Sequence, residues 1–337
     1  MKKEYELTAG RLLLLALGVG LLSACASDDG VVSPEHDASD DDRRQVTYSL
    51  RPQTIRRASV VEEGLAFRWD KGDRLTVWKG AAAESARPVT FETSEGGIGT
   101  ALFQHTGPVT ASQVYFGFYP AVDAPVSREI KIEIPDRGIR QNEASSSLHL
   151  KDFRPMYTTV VAREESATEL TGMTFRHLTA LLVFRVKNFN EETALVREIS
   201  VEAGRPVFYT EARYEAGSGA GQAVPSEASA VRSVRLSLGD DGICLSPDEE
   251  LKAFLPVLPT TDLMGTDLSV SIRTDSHFYA PLTLSGTDVG DRDQNGVCDF
   301  APSYYYQFRL ELKNRMLEWG DRHIESWKEG EVTEIPV

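Results

Sequence analysis

Polar and apolar residues alternate with a period of two along most of this chain. Val46, Tyr48 and Leu50 share one face of the first such stretch, and Leu65, Phe67 and Trp69 repeat the pattern. After a Lys71-Gly72-Asp73 turn, Leu75 and Val77 lie on one face, with Thr76 and Trp78 on the other. Residues 114–119 and the set Ile130, Ile132 and Ile134 continue the alternation. Runs of this length, broken by Gly, Pro, Asn and Asp, predict half-buried antiparallel strands. The later half predicts strands over 180–187, 195–203, 206–212, 231–238, 251–258, 268–274, 278–284 and 304–313, with a short closing strand over 332–337. No segment keeps an apolar period of 3.6 over three turns; 164–170 comes nearest and is short. Many short strands and frequent turns predict an all-β chain built as two tandem antiparallel β-sandwiches. A polar stretch near Ser166 divides them into 45–166 and 167–337. The low-complexity stretch 215–230 reads as a mobile surface insertion. Its Gly217, Gly219 and Gly221 lack the spacing and setting of a phosphate loop.

The N-terminus follows different rules. Lys2, Lys3 and Arg11 precede an apolar run over 12–22, too short for a bilayer span, which needs about 20 residues. The run suits an export signal, and Leu22-Ser23-Ala24-Cys25 resembles a lipobox. Residues 1–24 are then a signal peptide, and Cys25 becomes the lipidated first residue. Residues 25–44 form an acidic tether. Its stretch 26–42 holds seven acids and no Lys or Arg, a composition that favours disorder. Ser27-Asp28-Asp29 resembles the acidic signal that sends lipoproteins to the outer face of the outer membrane. Arg44, Arg51 and Arg57 follow, where trypsin-like proteases can reach.

Charge narrows the partners. A net charge of -15 repels phosphate backbones, so nucleic acid is not expected, and attachment to the outer membrane falls to lipid. Beyond Cys25 only Cys244 and Cys298 remain; they can pair in an oxidising compartment or stay as separate thiols. Asp291, Asp293 and Asn295, followed by Gly296, match the first half of a calcium loop. Pro302 stands where the bidentate Glu belongs, so an Asn-Gly hairpin turn is the better reading. The six histidines show no ligand spacing, and neither H-E-x-x-H nor G-x-S-x-G occurs. No cofactor and no enzymatic activity are expected. Exposed aromatics can stack on sugar rings, and Tyr304, Tyr305, Tyr306, Trp319 and Trp327 are available. A glycan-binding surface lipoprotein is therefore the alternative to the reading that follows.

Several segments together resemble the fimbrillin-like family, the subunits of type V pili in Bacteroidetes. Residues 67–77 (FRWDKGDRLTV) are similar to that family's F-x-W-x-x-G-D-x-[IL]-x-V signature. Ile134-Pro135 followed by Gln141 is a second match. Residues 152–156 leading into Phe175-Arg176-His177-Leu178-Thr179-Ala180 are a third, and residues 324–330 (IESWKEG) a fourth. Gly72 can take the positive φ of a tight turn, and Asp73 can bond nearby backbone. Phe67 and Trp69 are expected to anchor the first core, His177 to be a hydrogen-bonded core residue, and Trp327 to pack the second sandwich.

The resemblance implies transthyretin-like sandwiches and a route of assembly. Such subunits are exported as lipoproteins and cut by an Arg-specific protease. Loss of the N-terminal segment opens a groove in the first domain, which a strand from a neighbouring subunit fills. Strand addition of this kind satisfies the unpaired N–H and C=O groups of an exposed edge. Here 46–50 is the strand to be removed, by cleavage after Arg51 or Arg57, whereas cleavage after Arg44 removes only the tether. The candidate donor is 332–337, with Val332, Glu334, Ile335 and Val337. Expected partners are other pilus subunits, the outer membrane through lipid, and a receptor on a host or bacterial surface.

Overall fold

The computed structural model describes residues 45–52, 68–79, 87–98, 101–108, 114–122, 128–158, 161–162, 168–217, 222–260, 263–285, 299–314 and 316–326. The chain first lays down β1 (Gln45–Leu50), β2 (Arg68–Trp69), β3 (Arg74–Lys79), β4 (Arg87–Thr93), β5 (Gly97–Ile98), β6 (Phe103–Pro108) and β7 (Val114–Tyr119). It then leaves this sheet for β8 (Glu129–Glu133) and β9 (Ile139–Gln141). It returns with β10 (Met156–Thr158), β11 (Val161–Ala162), β12 (Glu169–Leu170) and β13 (Phe175–His177).

The first sheet has the order β12-β1-β6-β4-β3-β7-β10-β13, with β11 beside β7. Its two terminal strands, β12 and β13, are separated in the chain only by residues 171–174, so the sheet curls around its own inner face. That face holds Tyr48, Leu50, Leu75, Val77, Phe91, Phe103, Tyr115 and Tyr119 around Trp69. The Trp69 ring meets Phe103 at 4.9 Å, Tyr119 at 5.2 Å and Phe175 at 6.1 Å, each edge to face, the geometry aromatic quadrupoles favour. Phe67, its expected companion, lies outside the described residues.

The alternation in β3 and β7 also decides the outer face. Trp78, Phe116 and Phe118 turn away from Trp69 and join a second, larger core. Trp78 stacks on Phe116 at 5.5 Å, and Phe118 on Tyr214 at 5.8 Å. These strands are thus buried on both faces rather than half-buried. Ile130, Ile132 and Ile134 alternate as the sequence predicts, but they serve the larger core, because β8 pairs with a strand 80 residues downstream.

That partner belongs to the second half: β14 (Ala180–Asn188), β15 (Ala194–Ala203), β16 (Phe208–Tyr209), β17 (Glu211–Glu215), β18 (Val224–Pro225), β19 (Ala230–Val231) and β20 (Ser233–Leu238). β21 (Ile243–Leu245), β22 (Glu250–Val257), β23 (Asp267–Thr274), β24 (Phe278–Ser285), β25 (Tyr304–Lys313) and β26 (Met316–Ser326) follow. One sheet runs β22-β14-β25-β26 and another β24-β23-β15-β20-β9. Leu182, Phe184, Phe308 and Leu310 of the first meet Ile199, Val201, Val270 and Ile272 of the second in the larger core. A 3-10 turn, Leu148–Phe153, covers the opposite face of β14 and β22, where Leu150 packs with Leu181, Val183 and Phe254.

Three expectations change. The stretch 215–230 is not simply a mobile insertion: β18 pairs with β17, a 3-10 turn spans Glu227–Ser229, and Ala223 is buried. The strand expected over 206–212 is split into β16 and the start of β17. β26 was not foreseen, because Gly320-Asp321-Arg322 interrupts its alternation, yet it pairs with β25 from Tyr304 to Lys313.

Gln141 ties the two sheets of the larger core. Its side-chain amide donates to the carbonyls of Glu143 (3.0 Å) and Lys252 (2.7 Å) and accepts from the Phe254 N–H (3.0 Å). A fully buried amide with these bonds satisfied fixes β9 against β22. Gln141→Leu strands those backbone groups and is expected to lower stability by about 2–4 kcal/mol, read from urea unfolding. Trp69→Ala removes the centre of the first core and is expected to cost about 3–5 kcal/mol in the same measurement; a loss under 1 kcal/mol contradicts that role.

Candidate functional site

The groove occupied by β1 is the candidate site. β1 runs antiparallel to β6 along its full length, Gln45 opposite Pro108 and Leu50 opposite Phe103. On its other side, among the described residues, it meets β12 at Ser49 and Leu50, where the Ser49 N–H donates to the Thr168 carbonyl at 2.8 Å. Tyr48 and Leu50 are completely buried in the first core. On the outward face the Thr47 and Thr106 hydroxyls bond at 3.1 Å.

A polar cluster closes one end of this core. Lys79 follows Leu75 and Val77 in the alternation and so points inward, with 4% exposure. Its Nζ sits 4.3 Å from the centre of the Tyr48 ring, a cation–π contact. Burial holds the Lys79 ammonium below its ordinary pKa. His105 on β6 lies 6.4 Å from the Tyr48 ring, and its Nδ1 is 3.1 Å from the Thr90 carbonyl. Burial, then the Lys79 charge, hold its pKa down. The Tyr115 hydroxyl is pushed up to about 12 by burial and by Tyr48. Lys79 is the residue that sequence reasoning missed. Its place in the period of two was the available signal.

The turn of the first family-like segment braces the same sheet. Gly72 has φ +86, which favours glycine. The Asp73 carboxylate accepts from the Asp70 N–H at 2.8 Å and from the Tyr119 hydroxyl at 3.4 Å. Lys151 reaches Asp70 at 2.6 Å and Asp73 at 3.5 Å.

Other sequence-predicted residues fall as follows. Arg51 is exposed in the coil directly after β1. Cys25, Arg44, Arg57, Asp291, Asp293, Asn295, Cys298, Trp327, Val332, Glu334, Ile335 and Val337 lie outside the described residues. Among the described residues no group of three or more His, Cys, Asp or Glu is placed to hold a metal ion, and no helix is long and apolar enough to cross a membrane. Cys244 is a free, exposed thiol. Tyr306 is committed to the core, its hydroxyl donating to the Asp299 carbonyl at 2.9 Å and accepting from the Ala301 N–H at 2.8 Å. Tyr304 and Tyr305 are half-buried on opposite faces of β25.

No family profile and no curated protein matches the chain. Solved structures do. A protein assigned to cell adhesion from Bacteroides uniformis superposes with a TM-score of 0.55 at 14% identity, covering 85% of this chain and 98% of its own. Another, from Bacteroides ovatus, gives 0.54 at 15% identity over 77% of this chain and 88% of its own. This chain carries their fold. A tip fimbrial protein from Porphyromonas gingivalis, truncated at its C-terminus, aligns at a TM-score of 0.47 and 10% identity, covering 84% of this chain and 100% of its own.

His177 is a buried core residue, its main-chain carbonyl accepting from the Ser303 hydroxyl at 2.7 Å. Burial, and secondly the Arg154 guanidinium, hold its pKa well below 6.5. The same two causes lower that of His149, whose Nε2 lies 2.8 Å from the Phe254 carbonyl. A histidine kept neutral by the fold stabilises it fully above pH 6.5, the unfolded value. That stability erodes as pH falls through 6.5 towards the folded value, because the unfolded chain takes up the proton first. For His177 the slope is at most about 1.4 kcal/mol per pH unit. Urea midpoints are expected to fall between pH 7 and pH 5, and His177→Asn to flatten the profile.

Proposed function

We propose that this protein is a structural and adhesive subunit of a type V pilus, exported as a lipoprotein and assembled by strand exchange that proteolysis triggers. The observation that carries this reading is the build of β1. Among the described residues it plugs a core with Tyr48 and Leu50, pairs with β6 along its full length and with β12 at Ser49 and Leu50, and ends at an exposed arginine. The fold shared with the cell-adhesion proteins above supports the same reading.

In this scheme Cys25 anchors the subunit in the outer membrane and presents it on the cell surface. Hydrolysis after Arg51 or Arg57 cuts β1 from the rest of the chain, leaving it held by the β6 ladder and its buried side chains. The bond after Arg51 is to Pro52, a tertiary amide without N–H, so the Arg57–Ala58 bond is the simpler substrate. Departure of β1 exposes the β6 backbone, and the 332–337 strand of a neighbour takes the place. The contact is head to tail and does not close, which makes a filament. The subunit acts by packing and pairing, with no chemistry of its own. Its other partners are the outer membrane, until the cut, and a receptor on a host or bacterial surface.

Mass spectrometry of the surface-exposed protein is expected to find an N-terminus at Ala58 or Pro52, and unheated detergent gels a ladder of oligomers. The Arg51→Ala, Arg56→Ala, Arg57→Ala triple variant is expected to stay monomeric. A surface protein that still begins at lipidated Cys25 excludes the cleaved-subunit role.

A further inference from the structure

Lys79 presents a problem that the departure of β1 makes acute. β3 and β1 are not neighbours in the sheet, since β6 and β4 lie between them. The Lys79–Tyr48 contact therefore crosses the end of the first core. Among the described residues no carboxylate pairs with Lys79, and the nearby titratable ring, His105, is repelled by its charge. The ammonium is thus compensated by a π face that leaves with β1. A buried cation without a counter-group is strongly unfavourable, so the replacing strand has to offer an aromatic ring or a carboxylate at the Tyr48 position.

We infer that the vacated groove accepts residues 332–337 of a second copy of this chain in one register only, with Glu334 replacing Tyr48 over Lys79. This rests on the strand-exchange reading above and names its register and its charge pair. The two strands begin alike: Val46-Thr47-Tyr48 and Val332-Thr333-Glu334. Aligned on these residues, Val332 enters the core where Val46 packs. Thr333 takes the place of Thr47 opposite the Thr106 hydroxyl, and the Glu334 carboxylate meets the Lys79 ammonium. Ile335 then falls at the outward position of Ser49.

The neighbouring frame fails on the same residue. A slip of one residue exchanges the two faces of a strand. It would set Ile335 over Lys79 in one direction and Thr333 in the other, and neither side chain carries a charge to match the ammonium. The chosen frame has costs: Ile335 faces outward, Pro336 stands where Leu50 fills the core, and one backbone bond is lost. The Ser49 N–H points to Thr168, so the next N–H, that of Leu50, faces β6. Pro336 at the Leu50 position gives up that bond, at the last pair of the ladder with β6, where proline is tolerated.

The test uses the full-length chain, cleaved by an Arg-specific protease and followed by light scattering and unheated gels. Folding of the uncleaved Glu334→Lys and Glu334→Gln precursors is the direct control. Glu334→Lys is expected to cut oligomer yield at least about ten-fold, with Glu334→Gln intermediate. The register is then read by cross-linking, in a Cys244→Ser, Cys298→Ser background. A cleaved copy carrying Thr106→Cys is expected to form a disulfide with a copy carrying Thr333→Cys and not with one carrying Glu334→Cys. The reverse preference, or oligomers unaffected by Glu334→Lys, overturns the register while leaving strand exchange standing. Failure of the cleaved wild-type chain to oligomerise overturns the strand-exchange reading, and the register with it.

Discussion

The structure depends on a strand with no solvent face. From Tyr115 to Tyr119 every residue of β7 is buried. Tyr115 and Tyr119 point into the first core beside Trp69, and Phe116 and Phe118 point into the second. Gly117, between them, gives Met173 and Phe175 room: a Cβ there would meet each at 3.4 Å. Because β7, like β3, is committed on both sides, the hydrophobic effect acting on shared strands holds the two halves together. β1 sits at the other side of the same sheet, three strands away from β3 and four from β7. It contributes to one core only, whereas β3 and β7 contribute to both.

The period of two was legible, and with it the positions of most strands. β14, β15, β22, β23 and β25 fall within a residue or two of where alternation puts them. Pairing partners were not legible, because alternation says which side chains share a face and is silent about which edge they meet. That is why Ile130, Ile132 and Ile134 were recognised as a strand but not as part of the second core. β26 escaped for a different reason: its polar middle is permitted by pairing along β25, a tertiary cause invisible in the local pattern. At the site, Tyr48 and Leu50 were visible as inward residues. Lys79 was not, because a lysine at an inward position reads as an exception until the ring that covers it is known.

The buried polar residues outside that cluster behave differently from Lys79. Asn188 donates to the carbonyls of Glu192 and Leu245, both at 2.9 Å, and accepts from Asn190. Gln141 is satisfied in the same manner. Such amides cost little when paired and fix the register of the strands that carry them. They hold the second half in a single arrangement. Lys79 instead lies, among the described residues, over the face of the Tyr48 ring.

β26 has a mechanical consequence. It pairs with nine residues of β25, with a register shift between Phe308 and Leu310 and Ser326 opposite Tyr304 at the open end of the hairpin, while β25 is itself held in the sheet by β14. Antiparallel hydrogen bonds lie across the strand direction. Tension applied at Ser326 along the strand, away from the hairpin turn, therefore loads the rungs of the ladder together rather than one after another. The chain leaves its last described strand in shear, the geometry in which a short ladder resists pulling best.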